Sequence, residues 1–408
     1  MQHKLALLSL LPLALAAPTA VLKRDQPAPV LRPRGANLVE GKYIVKLREG
    51  VTLSTAGIQD SVTSSLSTDS LEDIADYVYG GAGGFHGFAL TLDDATLESL
   101  RQNPDVDYIE QDAVVSVSAY TTQKSAPWGI SRLSHKTKGS TDYVYDASAG
   151  EGTCAYIIDT GIYVGHKEFG GRATWLNNFS GDGDNTDGNG HGTHVAGTIG
   201  SSAYGVAKKT KLFAVKVLDG NGQGTNSGVI AGINYVAGEA PKRTSQCPKG
   251  SVANMSLGGG TSSAVNKAAA ALIDAGVFLA VAAGNESEDA KNSSPASEPS
   301  VCTVGATDSS DTLAEYSNFG SIVDILAPGT DILSTWIGSS TAKNTISGTS
   351  MATPHVAGLG AYLLGLGNVS SDPEALCAYI ASSGLSGKIS SVPSGTVNKL
   401  AFNGNPSA

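Results

Sequence analysis

From Thr153 onward the chain alternates short apolar runs with stretches of helical character, and few folds accommodate that pattern. Cys154–Ile158, Leu212–Leu218, Val252–Leu257, Val277–Ala282 and Val301–Ala306 are apolar almost throughout, so each reads as a strand covered on both faces. Gly192–Ser201, Asn226–Ala237, Ser263–Ala275 and Met351–Leu366 read as the covering helices. Together they predict an α/β domain with a mostly parallel central sheet wrapped by helices. In such sheets chemistry gathers at the carboxyl ends of strands, which says where to look for a site.

The rest of the chain is organised differently. Met1–Ala20 has a basic start at Lys4, an apolar core over Leu5–Leu15 and small residues at Ala14-Leu15-Ala16, the pattern of a secretory signal. A buried N-terminal helix is the alternative, but Pro12 and Pro18 interrupt it. After a Pro/Arg-rich linker over Asp25–Gly35, a small α+β unit follows to about Ser118. Its strands are Lys42–Leu47, Phe85–Leu92 and Val114–Val117, and its helices Leu53–Leu66 and Ala95–Leu100. All four cysteines fall beyond it, so the composition shifts near residue 118. The expected division is signal 1–20, small module 21–118 and main domain 119–408.

A net charge of −10 argues against a nucleic-acid or anionic-membrane partner. No apolar run reaches the ~18 residues needed to span a bilayer. Export permits disulfides among Cys154, Cys247, Cys302 and Cys377, and the residues alone allow three pairings. Glycine, 50 of 408 residues, is well above the ~7% average, so many backbone positions need conformations or close approaches that a side chain would forbid.

Three clusters sit where the sheet rule points. Asp159 ends the first strand in Asp159-Thr160-Gly161. His191 opens a helix in Gly190-His191-Gly192-Thr193-His194-Val195-Ala196-Gly197. Ser350 opens another in Gly348-Thr349-Ser350-Met351-Ala352-Thr353-Pro354-His355. A serine hydroxyl becomes a competent nucleophile when an imidazole takes its proton, and the imidazole needs a carboxylate to hold its tautomer. The Ser350 N–H and the Asn285 amide, in Ala282-Ala283-Gly284-Asn285, are candidate oxyanion donors. Pro354 is placed in the first helical turn, where it costs no donor. The rival chemistry is a zinc hydrolase built on His191 and His194 with His166 or His355, although the His-Glu-x-x-His arrangement is missing. A non-catalytic binding relative is the other alternative.

These motifs, in the order Asp, His, Ser, resemble the subtilisin-like serine peptidases, and within them the proteinase K-like secreted fungal group. The resemblance covers about Ala126 to Phe402. It implies a three-layer fold and a serine endopeptidase with Asp159 orienting, His191 as base and then acid, Ser350 as nucleophile and Asn285 in the oxyanion hole. It implies that substrate lies as a strand between Ser256-Leu257-Gly258, which also lines the primary pocket, and the segment containing Gly222 and Gly224, with Ala283 and Gly284 as further substrate-binding residues. Broad specificity with apolar or aromatic residues before the cut is the expectation. Gly224-Thr225-Asn226-Ser227 lacks the aromatic often found at the outer pocket, which leaves that preference open.

The same resemblance implies one structural Ca2+ held by Pro299, Val301 and Asp324 and no organic cofactor; the family's weaker second site needs oxygen donors where this chain reads His135-Lys136 and Ser386-Gly387-Lys388, so that site is expected to be absent. It implies the disulfides Cys154–Cys247 and Cys302–Cys377. It also implies that the small module, ferredoxin-like in fold, is an inhibitory propeptide removed by self-cleavage near Ser118–Ala119 to leave a monomeric extracellular enzyme. Sequons at Asn178, Asn292 and Asn368 are glycan candidates, whereas Asn254 falls in a strand expected to be buried.

Overall fold

The structure is a computed structural model, and it describes residues 26–33, 37–52, 58, 71, 74–80, 84–114 and 120–408. The signal segment, the helix expected over Leu53–Leu66 save residue 58, and the cleavage position near residue 118 lie outside the described residues. The chain divides into two compact units, the first ending at Val114 and the second running from Val115 and taking in residues 34–36.

The first unit is a five-stranded sheet in the order Val30–Leu31, Val106–Val114, Asn37–Leu47, Gly87–Thr91, Tyr77–Tyr79. The first pair is parallel and the others antiparallel. Tyr43, Val45 and Leu47 alternate inward, as a period of two requires, and meet Phe88, Leu90, Leu100 and Ile109 in one core. The helix Asp94–Gln102 starts at Asp93, whose carboxylate accepts the Thr96 N–H at 2.7 Å.

The second unit is built on a nine-stranded sheet. From one edge the order is Leu385–Ser386, Lys399–Leu400, Ile325–Pro328, Cys302–Thr307, Val277–Ala282, Gly250–Met255, Thr153–Asp159, Lys211–Lys216, Ala173–Asn178. Every neighbouring pair is parallel except the first. Successive residues of each strand feed opposite cores. Ala155 and Ile157 pack toward the helices His191–Gly200 and Thr349–Leu366. Tyr156 and Ile158 pack with Val229, Ile233 and Leu272 of the helices Asn226–Glu239 and Ser263–Asp274. Both faces are thus sealed, which explains the uninterrupted apolar runs.

The strand Thr153–Asp159 lies between Lys211–Lys216 on one side and Gly250–Met255 on the other, so the chain reverses its direction of travel across the sheet there. A crevice opens at such a reversal, and Asp159 stands at its rim. The disulfides Cys154–Cys247 and Cys302–Cys377 anchor two sheet strands, with Cα separations of 5.5 and 5.6 Å.

Candidate active site

Asp159 is wholly buried at the end of its strand. Its Oδ1 accepts the Thr160 N–H and the His191 Nδ1–H, each at 2.7 Å, which leaves Nε2 as the ring's free nitrogen. His191 is the first residue of its helix. A Cβ on Gly192 would sit 2.1 Å from the Gly161 carbonyl oxygen, so only glycine lets this helix reach the strand end that carries the carboxylate. Burial works against the charged imidazole, yet the charge and hydrogen bond of Asp159, with the charge of Asp187 behind them, hold the His191 pKa above the ordinary histidine value.

Asp187 is a second buried carboxylate, set beneath the start of the same helix. It accepts from Thr160 Oγ1 (2.8 Å), Asn189 N (3.1 Å), Gly190 N (2.8 Å), Thr193 N (2.9 Å) and Thr193 Oγ1 (2.5 Å). Thr160 Oγ1 in turn accepts the Gly192 N–H at 2.9 Å, which ties the Asp159 turn to the His191 helix. On the far side of that turn, fully buried Lys216 donates to the Thr160 carbonyl (3.1 Å) and pairs with Asp182 (3.0 Å).

Ser350 is the second residue of the helix Thr349–Leu366, where its N–H has no intrahelical acceptor. Its hydroxyl donates to the Ser256 carbonyl at 3.1 Å, so it must turn from the strand toward the imidazole before a proton can pass. The helix begins at Thr349 rather than Met351, which places Pro354 in the second turn and corrects the expectation that it costs no donor. The carbonyl it leaves unpaired is that of Ser350, and the Ser256 hydroxyl donates to it at 2.7 Å. Proline here frees the serine's own carbonyl to accept the Ser256 hydroxyl. Asn285 Oδ1 accepts from Thr349 N (2.8 Å) and Thr349 Oγ1 (2.9 Å), so its NH2 group faces away from the helix, toward the cleft.

The cleft has two cavities that share Leu257, Gly258 and Gly259. The smaller, about 260 Å3, is lined by Gly260, Ala282, Gly284, Asn285, Thr349 and Ser350, with Glu286 and Glu288 at its mouth. The larger, about 540 Å3, holds His191, Ser256, Gly222, Gly224, Thr225 and the apolar side chains of Leu218, Val229 and Val265. Ala283 does not line the cleft. It continues the alternation of Leu279 and Val281 and is buried in the core on that face of the sheet. The segment from Leu218 to Gly224 is a tight loop, closed by Asp219 N to Gln223 O (2.8 Å), and the strand expected to reach Leu218 stops at Lys216.

Of the histidines in the zinc alternative, His166, His194 and His355 each bond a backbone carbonyl and do not converge with one another. His194 Nε2 bonds the Ile332 carbonyl (2.9 Å), His166 Nε2 the Ala342 carbonyl (2.8 Å), and His355 Nδ1 the Met351 carbonyl (2.8 Å). Burial pushes the pKa values of His194 and His355 down to about 3 and about 4, so both stay neutral. Among the described residues, the one cluster with metal-ligand geometry is Asp324 with Cys302 and Cys377, whose sulfurs are already joined. Asp324 is half-buried, accepts the Thr303 N–H (2.7 Å), and burial raises its pKa to about 6.

Of the sequons, Asn254 is fully buried. Asn178 donates both amide hydrogens, to Asp182 Oδ1 (3.0 Å) and the Asp184 carbonyl (2.9 Å), and a glycan would take one of them. Asn292 is exposed beside the smaller cavity with its sequon hydroxyl, Ser294, buried, whereas Asn368 stands exposed just past a helix end.

A buried carboxylate paired to an imidazole, with a helix-start serine bonded to Ser256, which lines the same cavity as the imidazole, fits a serine hydrolase of the acyl-transfer class. The subtilase family model matches residues 150–394, and the peptidase inhibitor I9 model matches residues 42–118. The chain belongs to the subtilase family: it is a subtilisin-like serine endopeptidase preceded by an inhibitor-type propeptide domain. It is 54% identical over 402 residues to a cuticle-degrading protease of Metarhizium anisopliae, spanning 98% of this chain and 100% of that one. It is 66% identical over 302 residues to Proteinase T of Parengyodontium album, spanning 74% and 100%. A crystal structure of a cold adapted subtilisin-like serine proteinase matches with 45% identity and a TM-score of 0.63, over 69% of this chain and 99% of that one.

Proposed function

We propose that this protein is a secreted endopeptidase that cleaves extended polypeptides through an acyl-enzyme formed on Ser350. The 2.7 Å Asp159–His191 pair at the carboxyl end of the sheet carries the reading. His191 Nε2 takes the Ser350 proton as Oγ bonds to the scissile carbonyl carbon. The carbonyl oxygen gains the charge and is met by the Asn285 NH2 and the Ser350 N–H. As the C–N bond breaks, His191 returns its proton to the departing amine, and water repeats the sequence to release the acid. Asp159 stabilises the imidazolium between the two transfers.

Substrate adds as a strand between Ser256-Leu257-Gly258 and the loop carrying Gly222 and Gly224. The glycine- and alanine-lined smaller cavity suits a flat apolar or aromatic side chain before the cut, and the larger one suits an apolar side chain further from it. Residues 1–20 direct export, and the module over residues 21–118 inhibits the nascent monomer until self-cleavage near Ser118–Ala119. One Ca2+ is held by the carbonyls of Pro299 and Val301 and the carboxylate of Asp324. That all-oxygen set suits a hard cation. It fits this structure because Asp324 pairs with no lysine or arginine among the described residues. The ion would neutralise Asp324 and brace the loop before the strand Cys302–Thr307.

Labelling of the secreted protein by a fluorophosphonate, lost in Ser350→Ala, tests the nucleophile. Cleavage of a peptide library by the labelled species tests the pocket: cuts after apolar and aromatic residues are expected. Cuts confined to Lys or Arg would overturn the preference, and absence of labelling would overturn the mechanism.

A further inference from the structure

We propose that Asn318 is the positioning residue of the oxyanion hole, a role that rests on the reading of Asn285 as an oxyanion donor. Asn285 is held from two sides. Thr349 takes its side-chain oxygen, which fixes which way the amide points. The backbone that carries it, Ala283 to Glu288, is gripped by one side chain on another loop, beside the Gly284 N–H to Thr349 Oγ1 (3.3 Å) and Ser287 N–H to Tyr316 carbonyl (3.1 Å) bonds.

Asn318 is fully buried. Its Nδ2 donates to the Ala283 carbonyl (3.0 Å) and to Glu286 Oε2 (2.7 Å). Its Oδ1 accepts the N–H groups of Glu286 and Glu288, both at 3.0 Å. Its own N–H donates to the Gly284 carbonyl at 3.0 Å. Five bonds from one residue therefore reach four residues that bracket Asn285 on both sides, while none goes to Asn285 itself. The space is filled as well as bonded. Gly284 has φ +106°, and a Cβ there would lie 2.3 Å from Asn318 Nδ2 and 2.5 Å from Glu286 Oε2.

The chemistry selects an amide. Two acceptors and two donors of the turn face the side chain at once, and a neutral amide is the side chain of this size that answers all four. Aspartate would keep the two acceptor bonds, lose both donor bonds and set a second carboxylate against Glu286. An apolar residue would leave four polar groups of the turn without partners. Because an oxyanion donor must meet the oxygen at ~2.7–3.1 Å, a small shift of this turn reduces transition-state stabilisation while leaving ground-state binding largely intact.

The test compares Asn285→Ala, Asn318→Asp, their combination, and Asn318→Asp with Glu286→Gln. Each is expressed as the full chain and assayed as processed enzyme on a peptide anilide, with rates taken per fluorophosphonate-titrated site. Asn285→Ala should lower kcat by ~10²–10³-fold. Asn318→Asp should lower kcat by ~10–100-fold with KM changed less than ~3-fold, and weaken binding of a peptide aldehyde by a similar factor. In the Asn285→Ala background the same change should cost less than ~3-fold, since no amide remains to be placed. Glu286→Gln should recover much of the loss, because its amide can donate to the new carboxylate. If Asn318→Asp does not accumulate, Glu286→Gln alone weakens the same bond and should lower kcat by ~2–5-fold without moving KM.

An unchanged kcat in Asn318→Asp, or an equal loss with and without Asn285, overturns the positioning role and leaves Asn285 standing. A wild-type kcat in Asn285→Ala overturns the oxyanion reading, and the role of Asn318 falls with it.

Discussion

The two ends of the catalytic cleft are each organised by one buried side chain, and the two differ in charge. At the base end Asp187 gathers five donors under the His191 helix. At the oxyanion end Asn318 gathers two donors and two acceptors around the Asn285 turn. The sign follows from what each end must stabilise. In the proposed mechanism His191 becomes a cation in the transition state, so a nearby anion helps and offsets the burial that disfavours imidazolium. The other end receives an anion, and a buried carboxylate behind it would act against the charge it has to hold. Equal numbers of hydrogen bonds could hold either turn, and electrostatics decides which residue type may do so.

The largest way to break this arrangement is at Asp159 itself. Asp159→Asn keeps the shape but presents an NH2 or a neutral oxygen to His191 Nδ1, which upsets the tautomer. A fall in kcat of ~10⁴-fold is expected, with the larger share in kcat rather than KM. A loss below tenfold would mean that Asp159 does not orient the ring.

Asp187→Asn should be milder and more informative. An amide cannot accept from donors on both of its sides, so the Thr160–Gly192 link loosens and kcat/KM should drop by ~10–100-fold. The pH profile separates geometry from charge. His191 must be neutral to act as base, so activity is lost as pH falls through its pKa, which Asp159 and Asp187 hold above the ordinary value. Removing the Asp187 charge disfavours imidazolium, so the acid limb of kcat/KM should move to lower pH. An unmoved limb would make Asp187 a purely structural hub.

The candidate catalytic residues can be named from the sequence because each sits in a contiguous motif, and of them the structure pairs Asp159 with His191. The strands and helices on the covered faces were legible because burial writes itself as apolar runs. Ala173–Asn178 and Ile325–Pro328 were missed, the first because it is a half-exposed edge with polar residues, the second because it is four residues long and ends in proline. Asp187 reads as a turn acid before Gly-Asn-Gly, since its donors come from Thr160, Thr193 and the turn itself. Asn318 gives still less away, because the turn it shapes is about thirty residues earlier in the chain. For Pro354 the expected helix start is two residues late, enough to hide that the Ser350 carbonyl lacks its intrahelical donor. Ala283 was placed in the cleft with its neighbours, although strand alternation turns its side chain into the core.

The smallest expected effect at the cleft comes from the proposed calcium ligands, and that smallness sharpens the contrast between groups that set the charge of the site and groups that hold the fold. Asp324 sits against the Cys302–Cys377 bridge and bonds Thr303, on a strand three places removed from the one that ends in Asp159. Its ion is therefore expected to act on stability alone. A ligand at a hundredfold excess over its Kd contributes about 2.7 kcal/mol. At ~2–4 °C per kcal/mol for a domain near this size, chelation should lower Tm by ~5–10 °C. The comparison is made on fluorophosphonate-blocked enzyme, so that self-digestion does not distort the transition. Asp324→Asn should show the lower Tm with or without Ca2+, while its kcat at 25 °C and its acid limb stay within ~2-fold and unmoved, respectively. A shift of the acid limb on chelation would couple this loop to His191 and blur the division, whereas an unchanged Tm would remove the ion from Asp324.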